Sequence, residues 1–156
     1  MIKEFQNEFR FLSNFFPCRI DWEGITYPSV EHAYQASKTL DQKERRQIAN
    51  LPTPGKAKRA GQKLEIRPDW EEVKIPVMES LVCQKFTRHS SLKRLLLATG
   101  DQEIQEGNTW KDTFCGVSLS TGKSRNELGE ILMRVRRELQ LQTRSGVNAR
   151  SSKVSC

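Results

Sequence analysis

The chain has 156 residues, 36% of them hydrophobic and 29% charged, with a formal net charge of +7. That length suits one domain with a single core, and the lack of any apolar run of about 18 residues excludes a membrane-spanning helix. No basic-then-apolar leader opens the sequence, so the expected location is cytoplasmic.

In chain order, residues 9–27 gather Phe9, Phe11, Phe15, Phe16, Ile20, Trp22, Ile25 and Tyr27 around an Asp21-Trp22-Glu23-Gly24 turn, which predicts short β structure with a hairpin. Ser29 is an N-cap for a helix through Glu31-His32-Ala33-Tyr34-Gln35-Ala36-Ser37-Lys38. At about 100° per residue, Glu31, Gln35 and Lys38 share one stripe, while Val30, Ala33, Tyr34, Ser37 and Leu40 face a core. Helix faces with Glu and Lys at such spacing are ordinarily solvated, so the stripe by itself assigns no function. A charged helix over residues 43–50 stops before Pro52, and Thr53-Pro54 starts another over 54–62. Lys56, Lys58, Arg59 and Lys63 give that helix a basic face. Gly55-Lys56 lacks the frame of a Walker loop, which leaves a solvated face as the simpler reading and phosphate contact as the lesser one.

A helical region opens over residues 68–72, and Pro76 is expected to divide it. Val77, Met78, Leu81, Val82 and Phe86 then recur at core spacing, with Lys85 an amine on the apolar side. Ser91–Ala98 forms a short helix, residues 103–121 read as short strands and loops, and Ser124 or Arg125 to Gln140 is the last helix. Residues 1–142 form the expected domain and 143–156 a disordered basic tail. Setting aside Arg144, Arg150 and Lys153, which no tail acid offsets, takes the charge from +7 to +4. That mild excess favours phosphate-bearing partners without marking a nucleic-acid protein. Cys18, Cys83, Cys115 and Cys156 are too scattered for a zinc pattern and only two histidines are present, so reduced thiols and no metal or cofactor are expected.

Several blocks carry more than their periodicity. Leu12-Ser13-Asn14-Phe15-Phe16-Pro17, Glu31-His32-Ala33-Tyr34-Gln35 with Lys38, Trp70, Met78, Lys85-Phe86, Glu106-Gly107-Asn108-Thr109-Trp110, Asp112, Gly116, and Asn126-Glu127-Leu128-Gly129 before Leu132-Met133 follow one another in order. Together, over residues 5–139, they resemble the NADAR family of YbiA-like N-glycosidases. The resemblance implies a mostly helical α+β domain with a few short strands. It also implies an enzyme that hydrolyses a ribose C1′–N bond to an exocyclic amine.

Two substrate types are associated with that family: ADP-ribose on the amino group of guanine, as placed on DNA by a toxin partner, and the ribosylamino-pyrimidine phosphates of riboflavin synthesis. The basic charge and the Glu106–Trp110 block favour the first. Breaking such a bond develops positive charge on the ribose, which a carboxylate stabilises, while water must be activated and the leaving nitrogen protonated. The resemblance therefore makes Glu31 and Asp112 the catalytic carboxylates. Lys38 is the amine that would capture a ring-opened sugar as a Schiff base, with direct attack by water as the rival route. Arg10, Asn14, Gln35, Trp70, Lys85, Trp110, Cys115 and Asn126 are the expected substrate contacts. Several of these residues have a plainer reading: the tryptophans as packing, Asp112 as a turn cap, Lys85 as a snorkelling core lysine. Cys115 stands where the family pattern has tryptophan, which reshapes the pocket wall. It is also the best argument for the competing class, a non-catalytic ADP-ribose or nucleotide binder; a basic DNA-associated protein is a third possibility.

Overall fold

The computed structural model describes residues 1–108, 117–118 and 126–146. The chain divides into two compact units: residues 13–85, and residues 1–12 together with the chain from Phe86 onward. Helices dominate, with only short strands, as expected of the α+β class. No helix among the described residues is long and apolar enough to cross a membrane.

The 13–85 unit begins with a hairpin. Strands β1 (Ile20–Trp22) and β2 (Ile25–Tyr27) pair antiparallel, with Ile20 opposite Tyr27 and Trp22 opposite Ile25. Glu23 and Gly24 form the turn with φ of 46° and 82°, the left-handed pair that matches the twist of a two-residue hairpin loop. Gln84 grips the first strand, donating to the Asp21 carbonyl and accepting from the Asp21 N–H, both at 2.7 Å. Helix α1 (Val30–Ala36) follows, capped by Ser29 Oγ accepting from the His32 N–H. Helices α2 (Gln42–Ala49) and α3 (Pro54–Gly61) are capped by Asp41 and Thr53, and both pack on α1. Arg45 is buried, donating from Nε to the Thr39 carbonyl at 2.8 Å and from Nη1 to Glu23. It thereby ties α2 to the hairpin turn.

Helix α4 (Trp70–Arg88) runs unbroken through Pro76, contrary to the expected division. Pro76 and Glu72 are both exposed. The carbonyl that loses its helical partner thus meets water, while Val77, Met78, Leu81 and Val82 remain buried on the opposite side. Losing one backbone bond at a solvated position is outweighed by burying four large side chains, each worth roughly 1.5–3 kcal/mol.

In the other unit, Phe9 and Phe11 lie in a 3-10 helix (Asn7–Leu12), not in the β structure expected over residues 9–27. Phe11 packs edge-on against Phe86, with ring centroids 6.3 Å apart, so this aromatic repeat follows a helical face. Ile2 pairs in parallel with Ile104, and the Ile2 N–H donates to the Glu103 carbonyl at 2.8 Å. Helix α5 (Ser90–Ala98) precedes β3 (Gly107–Asn108), which pairs in parallel with β4 (Val117–Ser118).

Helix α6 (Glu127–Arg144) buries Leu128, Ile131, Leu132, Val135 and Leu139, the expected inward set, and extends four residues past the expected Gln140. Buried Arg136 donates to Thr99 Oγ1 at 2.8 Å, and Gln140 donates to the Gly100 carbonyl at 3.1 Å, covering the C-terminal end of α5. Gly129 permits a close approach, since a β-carbon there would lie 2.3 Å from the Ile104 carbonyl.

Candidate functional site

Helix α1 departs from an amphipathic surface helix: all seven of its residues are buried, Glu31, His32 and Gln35 included. The Glu31–Gln35 stripe therefore lies inside the 13–85 unit and not on a solvated face. Burying a carboxylate demands partners. One is supplied at helical spacing, where Gln35 Nε2 donates to Glu31 Oε1 at 2.8 Å. Lys38, one turn on, is half-buried with its ammonium 5.9 Å from the Tyr34 ring centre.

His32 fixes the back of the helix. A carbonyl only accepts, so Nε2 must be the protonated nitrogen that donates to the Leu51 carbonyl at 3.0 Å. Nδ1 then accepts from the Ser29 hydroxyl at 2.6 Å. Burial pushes the imidazole below its ordinary value and keeps this neutral tautomer. His32 is thus a framework residue with both nitrogens engaged.

The 13–16 loop abuts the start of α1, where the Glu31 N–H donates to the Asn14 carbonyl at 3.0 Å. Lys85, fully buried on α4, donates from Nζ to the Ser13 carbonyl at 2.8 Å, with the Phe16 ring 5.5 Å away. Burial lowers this amine from 10.5 to about 8, and Cys18 opposes the shift slightly. Lys85 is thus neither a snorkelling lysine nor exposed; it anchors the loop that carries Asn14. The Asn14 side chain is also buried and donates from Nδ2 to Met78 Sδ at 3.1 Å.

Two residues that bond to Glu31 each keep a buried acceptor without a hydrogen-bond partner: Asn14 Oδ1 and Gln35 Oε1. Leaving such an atom unsatisfied costs roughly 1–3 kcal/mol, so two on residues that bond to Glu31 mark a place built to receive donors. Gly61, which sequence reasoning did not single out, makes room for one of them. A β-carbon there would lie 1.9 Å from Gln35 Oε1. Its signal was present only as the small-residue pair Ala57 and Gly61, one helical turn apart on α3, both buried.

Trp70 is buried and tilted against Tyr34, with centroids 5.2 Å apart and rings at 55°. Tyr34 therefore occupies one side of the expected stacking surface. Arg67 and Asp69 form a two-point ion pair just before Trp70, at 2.6 and 2.9 Å.

Arg10 and Asn126 belong to the other unit. Arg10 is exposed. Asn126, at φ 44°, donates to the Ile104 carbonyl at 3.0 Å and accepts from the Glu106 N–H at 3.2 Å, so both ends of its amide hold backbone. Trp110, Asp112 and Cys115 lie outside the described residues.

Cys83 is disulfide-bonded, against the expectation of reduced thiols, whereas Cys18 is free with its thiol pushed up by burial. Among the described residues no three His, Cys, Asp or Glu side chains gather in a group that could hold a metal ion.

Comparison with known proteins adds to this geometry. A NADAR domain model matches residues 2–140. The chain is 41% identical over 132 residues to a riboflavin biosynthesis protein of Vibrio vulnificus, covering 83% of this chain and 35% of that one, so it spans about a third of that relative's length. It is 38% identical over 132 residues to the N-glycosidase YbiA of Escherichia coli, covering 83% of this chain and 81% of YbiA. The NMR structure of E. coli YbiA superposes with a TM-score of 0.82 at 33% identity, over 96% of this chain and 91% of that one.

Proposed function

The chain belongs to the NADAR domain family, and on that premise we propose that it is an N-glycosidase that hydrolyses the C1′–N bond between a ribose and an exocyclic amine, removing ADP-ribose from guanine. The enzyme class is that of its relative YbiA, an N-glycosidase. The observation that supports the reading is the buried Glu31 carboxylate, held by Gln35 and accompanied by the unpartnered acceptors Asn14 Oδ1 and Gln35 Oε1. A ribose offers hydroxyl donors to such acceptors. A carboxylate beside them stabilises the positive charge that develops at C1′ as the bond to nitrogen breaks.

In this mechanism Gln35 orients Glu31, and Asn14 and Gln35 accept from the sugar hydroxyls. Water adds its oxygen to C1′, the bonding pair leaves with the nitrogen, and a proton passes to the departing amine. Asp112 is the proposed proton carrier. Lys38 supplies the amine for the alternative route through a Schiff base, which borohydride trapping separates from direct attack by water. Lys85 acts from behind, holding the Ser13 carbonyl and with it the loop that presents Asn14.

A second substrate is favoured by one observation, the name of the Vibrio relative: a ribosylamino-pyrimidine phosphate of riboflavin synthesis, which has the same ribose-to-amine linkage. The deciding experiment offers both substrates to wild type and to Glu31→Gln, which preserves the shape of the side chain and removes its charge. ADP-ribose released from modified oligonucleotide by wild type alone supports the first substrate. Ribose phosphate released only from the pyrimidine replaces it with the second. ADP-ribose binding without turnover of either would identify a binder and overturn the enzymatic reading.

A further inference from the structure

Residues 42–63 hold seven Lys and Arg against one acid, Glu44, a local charge of +6 in a chain whose total is +7. The structure sorts these cations. Arg45 is buried and paired with Glu23, so it belongs to the framework. On α3, Ala57 and Gly61 are buried, and Gly61 lies against Gln35. A step of about 100° per residue then carries Lys56, Arg59 and Lys63 into an arc of about 60° on the side away from that packing line. All three are exposed, and none forms an ion pair with a described residue. Lys63 continues the helical turn past the end of α3, its N–H donating to the Ala60 carbonyl at 3.1 Å.

We propose that this face of α3 docks the phosphate backbone of a nucleic acid strand. Three features favour that partner. From Lys56 to Lys63 the helix rises about 10 Å, the distance over which a stacked strand advances roughly three phosphates at about 3.4 Å of axial rise each. The arc itself holds no apolar side chain and is flanked only by Gly55 and the small, half-buried Ala60, whereas a helix lying on a membrane needs a large apolar face to bury. The opposite side of α3 packs on α1, so a strand held here is docked on the helix that backs Gln35 and Glu31. That the docked strand carries the modified guanine rests on the function proposed above; the docking itself does not.

The test is binding of an unmodified single-stranded oligonucleotide by fluorescence anisotropy across a salt series. It compares wild type with the triple variant Lys56→Glu, Arg59→Glu, Lys63→Glu. Three phosphate contacts predict an affinity that falls about twentyfold between 50 and 200 mM salt in wild type. The triple variant loses at least tenfold at 50 mM salt with an unchanged melting temperature. Should it fold poorly, the neutral triple Lys56→Gln, Arg59→Gln, Lys63→Gln carries the same comparison. No strand binding by wild type, salt-independent binding, or equal binding by the variants would overturn the proposal. So would displacement of the strand by polyglutamate at equal charge, which points to an acidic protein, or binding confined to anionic vesicles. A second readout separates docking from chemistry: the variant raises KM for ADP-ribosylated oligonucleotide and leaves KM for the free ADP-ribosylated guanine nucleotide unchanged. If wild type processes neither substrate, the function proposed above fails, while the anisotropy result still decides the docking.

Discussion

Replacing Gly61 by alanine tests the site through a residue with no chemistry of its own. The added methyl would lie 1.9 Å from Gln35 Oε1 and 2.7 Å from Cδ. The amide is the far end of a flexible side chain, so it moves before α1 or α3 does, and its 2.8 Å bond to Glu31 Oε1 breaks. A hydrogen bond to a charged group contributes about 1.5–3 kcal/mol. If that interaction orients Glu31 in the transition state, its loss lowers kcat/KM by about 10- to 150-fold. Overpacking costs about 1–3 kcal/mol, and the better helix propensity of alanine returns at most about 1 kcal/mol. The net loss of about 1–2 kcal/mol lowers the melting temperature by about 2–6 °C for a chain of this size. The assay is kcat/KM and thermal unfolding for wild type, Gly61→Ala, Gln35→Ala and the double variant. The reasoning requires Gly61→Ala to cost less once Gln35 is truncated, because the contacts at 1.9 and 2.7 Å are then gone and only Gln35 Cβ, at 3.1 Å, still crowds the methyl. Equal losses in both backgrounds, or wild-type kinetics in Gly61→Ala, would refute it.

Three further outcomes follow from polar groups held within the fold. Lys85 sits at about 8 in the folded chain against 10.5 ordinarily, so the unfolded chain binds more protons between these values. Stability measured by urea unfolding should therefore rise from pH 8 to about 10.5, by up to about 3 kcal/mol, and Lys85→Met should flatten that rise. His32 is held below its ordinary 6.5, so its contribution is complete above that pH and is lost as the pH falls through the lowered folded value. Acid titration of the melting temperature should show this loss, reduced in His32→Gln. Asn126→Ala removes two backbone-directed bonds and leaves a β-carbon residue at φ 44°, for a loss of about 2–4 kcal/mol in chemical denaturation.

The elements with local signals were legible in the sequence: the hairpin turn at Glu23-Gly24, the caps Ser29 and Thr53, and the inward stripe of α6. Local rules failed where tertiary contacts decided. The aromatic spacing of Phe9 and Phe11 fits a strand until Phe86 packs against it from the side. Pro76 should end a helix, yet it points to water and the apolar face carries α4 through. The most informative miss is α1, whose Glu31, Gln35 and Lys38 spacing looks like a solvated stripe. Periodicity gives the direction of a side chain and not what lies there, so the packing of α2 and α3 over this helix could not be read from it. Glu31, Asn14 and Gln35 were legible through family blocks. Gly61 was not, because its contribution is the space left by a side chain it lacks.

The 13–16 loop is fastened by its main chain: the carbonyls of Ser13 and Asn14 accept from Lys85 Nζ and the Glu31 N–H. Those anchors are indifferent to which side chains the loop carries. Phe15 is exposed, so position 15 is free to vary while the attachment stays the same, whereas the half-buried Phe16 ring lies 5.5 Å from the anchoring Lys85 ammonium. Helix α1 offers no such latitude, since every one of its residues is enclosed. Evolvability in this unit is therefore divided unevenly. A library randomised at 15 should yield folded proteins with altered ligand preference, whereas one randomised along α1 should yield mostly unfolded chains.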